Sequence, residues 1–480
     1  MTKGKRLRSL HLAHRWLGVV LGLLVLLWLL SGLVMLFVAR PQLDERERLA
    51  TLPALSADSL RVSPAKAWEA LDLPGAPQII RLNAAHGRAA YRILADGRWW
   101  AVDAGSGKVL TPQDLDPSLL GALADPGMAK IAGRTTVHLD QWTVYRKFDP
   151  LRPFWRVELD DHRHLYISTR SGELALDTTS EERTWNWLGS VVHWIYITPL
   201  RQHTPLWRNI VLWSSLAALV LAALGLWLGV QRLRVRQRYS GGRITPYRTA
   251  WKRWHHLLGL SGGVILLTWL LSGWLSLAPF GLAAGPERPA ELGSDIPLAT
   301  QTAVPTPLPE SRELEWARIG TRLVRIDKGS ATTRISLTDQ PHRPALTLDQ
   351  IEKALGDALR APITRIEWLD SPDTRYFPLR HQPRAFPVAR VALDDPNQTV
   401  LYVSPHTGRI EQISNRHDQA HRWLYQGLHR LDLPIFVRHP LLRDVVIIAL
   451  LLLGIALTCS GCVLAWRRLF PPSPIDLTPS

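Results

Sequence analysis

The 480-residue chain has only two cysteines, Cys459 and Cys462, too few for a disulfide-stapled fold or a cysteine-built zinc framework. It has no P-loop, no Gly-x-Gly-x-x-Gly and no His-Glu-x-x-His, so nucleotide-binding folds and zinc peptidases are without their usual signatures. Acidic residues are missing from residues 1–15, which carry five Lys/Arg, and from residues 231–254, which carry eight. Together with the tail 467–480, these segments hold +14 of the formal net charge of +16. The remainder is close to neutral. The pI of 10.3 therefore reflects three short basic stretches, and no nucleic-acid partner is expected.

Charge of either sign is absent from residues 17–39, 210–230, 257–285 and 445–466. Each run exceeds the roughly 20 apolar residues that cross a hydrocarbon core, which predicts four transmembrane helices in a lipid bilayer. The first run is too long for a cleavable signal and lacks a small-residue cleavage site. The positive-inside rule places both termini and the basic loop in the cytoplasm. The expected order is a cytoplasmic N-terminus and first span (1–39), an outer region (40–209), span two (210–230) and a basic loop (231–256). Span three (257–280), a second outer region (281–444), span four (445–466) and a cytoplasmic tail (467–480) follow. Trp16, Trp207, Trp213, Trp251, Trp254, Trp274 and Trp466 fall near span ends, as interfacial anchors do.

The halves resemble each other. His14-Arg-Trp-Leu-Gly18 and Trp28-Leu-Leu-Ser-Gly32 return as His255-His-Leu-Leu-Gly259 and Trp269-Leu-Leu-Ser-Gly273, at a constant offset of 241. At an offset of 236, Leu165-Tyr-Ile-Ser168 matches Leu401-Tyr-Val-Ser404, and His193 matches His429. The expected fold class is a membrane α+β protein: four transmembrane helices in two parallel repeats, with matched residues facing each other across a pseudo-twofold axis. The outer regions read as small α+β units. A helix at 62–71 opens with Ser63-Pro64, and a hairpin at 91–94 and 99–102 turns at Asp96-Gly97. A second helix spans 347–355, and strands lie near 388–393 and 400–403. Residues 278–310, rich in Pro, Gly and Ala, are expected to be loose.

Four of the 17 histidines stand at matched positions. His14 and His255 lie one turn before spans one and three. His193 and His429 lie on expected helices 184–196 and 419–431, about 16 residues before spans two and four. His14, Gly18 and Gly22 share one helical stripe, as do His255, Gly259 and Gly263. Gly32 stands 18 residues from His14, about 27 Å along the same face. Glycine clears the surface beside an imidazole that ligates a flat macrocycle, so one reading is bis-histidine ligation of two b-type haems, one near each membrane surface. Cys-X-X-Cys-His is absent, which excludes covalent c-type attachment. The other reading is close helix packing on the glycines and headgroup contacts for the histidines. His11, His256 and His421 are neighbours able to replace a ligand. Cys459-Ser-Gly-Cys462 reads as a small-residue packing patch with Gly454, and Asp160-Asp161 and Asp394-Asp395 as turn acids or cation contacts.

With these residues in view, the chain resembles the family of bacterial inner-membrane proteins carrying PepSY-associated transmembrane helices, which includes iron-regulated membrane proteins and siderophore reductases. His14-Arg-Trp-Leu-Gly18 and Leu29-Leu-Ser-Gly32 carry the membrane part of the resemblance. Val102-Asp-Ala-Gly-Ser-Gly-Lys-Val-Leu110 carries the PepSY part, with weaker copies at 166–174 and 402–410. The resemblance implies a haem-containing membrane reductase acting on ferric siderophores or other Fe(III) chelates in the periplasm. His14, His255, His193 and His429 match as cofactor ligands. The cytoplasmic loops, at most about 26 residues, are too short for a flavin or nicotinamide domain. A separate electron donor is therefore expected, either quinol or a soluble reductase. A non-enzymatic PepSY-type binding or regulatory protein is the alternative. A transporter is disfavoured, because the span centres carry no ionisable residue.

Overall fold

The computed structural model describes residues 3–85, 87–115, 130–281, 292–293, 295–337, 340–416 and 422–471; His86, His417 and His421 lie outside them. The chain forms two compact units.

The first unit comprises Met1–Ala39, Trp185–Gly285 and His417–Ser480. Its frame is four long helices: α1 (Lys3–Phe37), α2 (Thr204–Arg232), α3 (Ala250–Leu275) and α4 (Pro440–Leu469). Each is long and apolar enough to cross a membrane. The helix suits that role because it satisfies its backbone polar groups internally, where lipid offers no partner. This is a multi-pass membrane protein. α1 packs on α2 and α4, and α3 does the same. Leu21, Val25 and Leu29 of α1 meet Leu266, Trp269 and Leu270 of α3 and Ile447, Leu451 and Leu457 of α4 in a common core. Val20, Leu23, Trp213 and Val445 point outward and stay exposed, as lipid-facing side chains should. Trp16, Trp251, Trp254 and Trp466 are also exposed near helix ends. α3 stops at Leu275, short of the expected residue 280. Ala278 and Phe280 take positive φ on either side of Pro279, which has no N–H to continue the ladder.

The two segments expected as regular helices are broken instead. After a helical Ser180–Asn186, Trp187–Val191 is a π turn and Val192–Trp194 a single α turn; Ile195, at φ 53°, ends it in the left-handed region. Arg422–Gly427 is likewise a π turn, followed by Leu428–Arg430 and then Leu431 at φ 54°. A β-branched residue such as Ile195 is strained in that region, so packing must hold it there. Gly189 supplies one close approach: a Cβ there would lie 3.2 Å from Val34 Cγ1 and 3.3 Å from Met35 Cγ, so this turn sits directly against α1.

The second unit comprises Arg40–Thr184 and Pro286–Arg416. Its strands are β1 (Ile79–Asn83), β2 (Ala90–Ala95), β3 (Arg98–Asp103), β4 (Ile131–Val137), β5 (Phe154–Leu159), β6 (His164–Ser168) and β7 (Leu174–Thr178) from the first outer region. The second region supplies β8 (Glu313–Ile319), β9 (Arg322–Lys328), β10 (Thr333–Leu337), β11 (Ile363–Leu369), β12 (Val388–Leu393), β13 (Val400–Val403) and β14 (Ile410–Ser414). They form three antiparallel sheets: β4-β5-β6-β7, β11-β12-β13-β14, and a six-stranded sheet ordered β10-β9-β8-β1-β2-β3. The two outer regions each give three strands to that last sheet, joined where Ile80 of β1 opposes Trp316 of β8. The expected Ser63 cap forms, accepting from Lys66 N, and Thr347 and Gln350 add a reciprocal capping box. The described part of residues 278–310 is not loose. Leu292, Ile296 and Leu298 are buried in the sheet cores, and Ile296 N donates to Pro77 O.

Arg48 donates to both Glu313 carboxylate oxygens at 2.7 Å, while Asn83 bridges Glu173 and Glu313 at 2.9 Å. Burial pushes the Glu313 carboxyl up, but Arg48 and Lys328 overcome this and hold it well below the usual carboxylate range. The carboxylates of Glu45, Glu313 and Glu315 converge as a metal site would. Lys328 already contacts all three, so an ammonium supplies the positive charge there.

Candidate functional site

The bundle brings the four matched histidines together in two pairs. His14 on α1 faces His255 on α3 with ring centroids 6.3 Å apart and planes at 39°. His193 faces His429 at 6.2 Å and 70°, each on the single α turn between a π turn and a left-handed residue. All four residues are half-buried.

Hydrogen bonding at Nδ1 assigns the tautomers. His193 Nδ1 lies 3.1 Å from Trp28 O and 3.2 Å from Ser31 Oγ, and Ser31 gives its own proton to Trp28 O at 3.1 Å. A carbonyl can only accept and the serine proton is engaged, so the imidazole proton must sit on Nδ1. His429 Nδ1 lies 3.1 Å from Ser272 Oγ, which donates to Trp269 O at 3.1 Å. His255 Nδ1 lies 2.9 Å from Ser460 Oγ, which donates to Leu457 O at 2.6 Å, and His14 Nδ1 lies 3.2 Å from Leu221 O. All four imidazoles, when neutral, therefore present the lone pair of Nε2, the form that ligates a metal. Burial pushes His193 and His429 down from the ordinary histidine value, so both are neutral at pH 7.

The spacing fits one metal between each pair. A metal–nitrogen bond of about 2.0 Å and about 1.2 Å from that nitrogen to the ring centre give about 6.4 Å between facing rings. Direct ring packing is the alternative: the His193 and His429 planes at 70° form an edge-to-face pair, and those of His14 and His255 at 39° are tilted, so neither pair is stacked in parallel.

A glycine lies against each imidazole. A Cβ at Gly32 would stand 3.6 Å from His193 Cε1, one at Gly273 3.4 Å from His429 Cε1, one at Gly461 3.2 Å from His255 Cε1, and one at Gly225 only 2.6 Å from His14 Cε1. The stripe read as cleared for a macrocycle behaves otherwise. Cβ atoms at Gly18, Gly22, Gly259 and Gly263 would meet Leu221, Cys462, Leu457 and Leu226 at ordinary packing distance. Cys462 therefore packs on α1, while its neighbours Ser460 and Gly461 serve His255. Sequence reasoning missed Gly225 and the three serines. Signals existed for all but Ser460: Gly225 and Leu221 recur as Gly461 and Leu457 at an offset of 236, and Ser31 recurs as Ser272 at 241, whereas Ser460 matches Leu224.

Of the neighbours weighed as alternative ligands, His421 lies outside the described residues, and His256 and His11 are engaged. His256 is buried, with Nδ1 on Thr245 Oγ1 at 2.9 Å and Nε2 on Gly229 O at 2.8 Å, so neither nitrogen is left for a metal. His11 Nε2 lies 3.2 Å from the Arg232 guanidinium. The paired aspartates act in turns: Asp160 accepts from Lys130 N, Asp161 pairs with Arg163, and Asp395 holds Thr399. The family model described as the PepSY-associated TM region matches residues 11–468. No curated protein matches the chain.

Proposed function

The chain belongs to the PepSY-associated TM region family, and on that premise we propose that it is a haem-containing inner-membrane reductase passing electrons across the bilayer to a ferric siderophore or other Fe(III) chelate in the periplasm. The observation that carries this reading is the pair of facing imidazole couples, each with Nδ1 hydrogen-bonded and Nε2 as the lone-pair nitrogen. His14 with His255 would hold one haem b on the cytoplasmic side, and His193 with His429 a second on the periplasmic side. This takes the fold as two parallel repeats, with both termini and the basic loop in the cytoplasm and the sheet unit outside. Haem, when bound, supplies one-electron transfer.

The chain's own contribution is to keep the imidazoles neutral and oriented, through Ser31, Ser272, Ser460 and the carbonyls of Trp28 and Leu221. The Leu and Trp core between the two levels keeps water out. Hard oxygen ligands suit Fe(III) better than Fe(II), so reduction loosens the chelate. Electrons must come from a separate donor, quinol or a soluble reductase.

Visible spectroscopy of the purified protein, expressed with ample haem, tests the reading. The expected result is a Soret band that shifts on dithionite reduction and loses about half its intensity in His14→Ala or in His193→Ala, as one of two bis-histidine sites is removed. A colourless, folded protein would overturn the proposal in favour of a non-enzymatic PepSY-type binding or regulatory protein.

A further inference from the structure

Among the described residues, three of the four imidazoles share the Nδ1 proton with a serine hydroxyl, and the fourth, His14, does not. Ser31 and Ser272 serve the outer couple, His193 and His429. In the inner couple only His255 has such a partner, Ser460. His14 bonds to Leu221 O, and the residue three positions after Leu221 is Leu224, whereas the residue three after Leu457 is Ser460. Each serine donates to the carbonyl three residues before it in its helix, at 2.6 to 3.1 Å. A hydroxyl whose proton is already held by a carbonyl is polarised and becomes a better acceptor. The three contacts are therefore one device built three times, on α1, α3 and α4.

We propose that Ser31, Ser272 and Ser460 are positioning residues that draw on the Nδ1 proton of the ligand imidazoles and so set the reduction potential of the iron each couple holds. The inference rests on the haem reading above. An acceptor at Nδ1 makes Nε2 more electron-rich, which favours the ferric ion over the ferrous. The outer couple has two such hydroxyl acceptors and the inner couple one. Nothing in the serine's packing demands this role: its hydroxyl would satisfy its own helix carbonyl without the imidazole, as Ser215 does with Val211 O at 2.6 Å.

The test is a spectroelectrochemical titration of the full-length holoprotein, with the two transitions assigned by His14→Ala and His193→Ala. Ser31→Ala and Ser272→Ala are expected to raise the potential of the outer site and leave the inner unmoved, while Ser460→Ala raises the inner alone. Each change is expected to be roughly threefold to tenfold in the ferric-to-ferrous ratio, up to about 59 mV for one electron. Ser31→Thr keeps the hydroxyl and restores the wild-type potential. Leu224→Ser puts a hydroxyl at the position that Ser460 holds in the other half, beside Leu221 O. Leu224→Ala removes the same side chain without adding an acceptor, so the difference between the two variants isolates the hydroxyl. Leu224 is only half-buried, and this pair remains informative if a serine-to-alanine variant fails to fold. The inner potential is expected to be lower in Leu224→Ser than in Leu224→Ala. Full haem content with equal inner potentials in those two variants, and potentials unmoved by the serine-to-alanine changes, would overturn the inference and leave the haem reading intact. A wild-type protein without haem overturns both.

Discussion

Adding one methyl group at Gly225 should disturb the molecule more than adding it at Gly32, although both glycines lie mid-helix against a histidine. At Gly225 the new carbon would sit 2.6 Å from His14 Cε1, 3.2 Å from Nδ1 and 3.4 Å from Nε2. Carbon atoms rest about 3.5–4.0 Å apart, so the ring must retreat by about 1 Å. That retreat takes Nδ1 away from Leu221 O, now at 3.2 Å, and beyond hydrogen-bonding range. Overpacking of this kind costs about 1–3 kcal/mol and the lost hydrogen bond about 0.5–1.5 kcal/mol; the better helix propensity of alanine returns about 1 kcal/mol. Gly225→Ala should therefore be destabilised by about 1–3 kcal/mol. At Gly32 the same carbon would lie 3.6 Å from His193 Cε1, an ordinary contact, so Gly32→Ala should be neutral or slightly stabilised. Gly273→Ala and Gly461→Ala, at 3.4 and 3.2 Å, fall between. Thermal unfolding in detergent ranks the four variants, and, on the haem reading proposed above, the low-spin electron paramagnetic resonance signal would report the His14–His255 geometry. Equal stability of Gly225→Ala and Gly32→Ala, with unchanged spectra in both, would refute the argument that α2 closes directly on His14.

Both nitrogens of His256 are bound to protein, so His256→Phe should leave haem content unchanged while costing about 1–3 kcal/mol for the abandoned Thr245 and Gly229 groups; pyridine haemochrome assay and unfolding measure the two effects. Arg48→Met should destabilise the sheet unit by about 3–5 kcal/mol by leaving Glu313 buried without its bidentate partner, and Arg48→Met combined with Glu313→Leu should recover much of the loss, as read by chemical denaturation. The Glu313 carboxyl is depressed in the fold, so its stabilising contribution is complete above the unfolded value of about 4.3 and is lost as pH falls below that value towards the folded one. Unfolding measured between pH 7 and 3 should lose stability only in the acid part of that range, and Glu313→Gln should flatten the loss. Ala is not tolerated at Gly320, where φ is 55° and a Cβ would collide with Ala354 O; Gly320→Ala should lower soluble yield and melting temperature sharply.

What sequence reasoning reached was set by periodicity and by matched spacing. The four apolar runs fall within α1 to α4 but for the ends of the first and third, because lipid leaves the backbone few options. The matched positions named His14, His255, His193 and His429 before any geometry was known, and the structure sets them face to face in two couples. The Ser-Gly ends of spans one and three were legible as open surface. The serine's bond to an imidazole on another segment was not, because it joins residues more than 150 apart. The π turns at Trp187–Val191 and Arg422–Gly427 were hidden for a different reason. Their composition suits an ordinary amphipathic helix, and only packing against α1 and α3 selects the wider turn. The joint between β1 and β8 was also beyond local reading, since neither strand carries a mark of its distant neighbour.

That joint has a consequence for biosynthesis. β1 lies between β2 and β8 in the six-stranded sheet, yet β8 is translated more than 200 residues after β1, with two membrane helices still to be inserted in between. Until the ribosome has passed Ile319, Ile80 and Leu82 belong to a half-built sheet whose open edge invites pairing with other chains. A nascent chain stalled between α2 and β8 should therefore depend on chaperone protection, and severing the gene at the basic loop should yield two fragments that fold only when co-expressed.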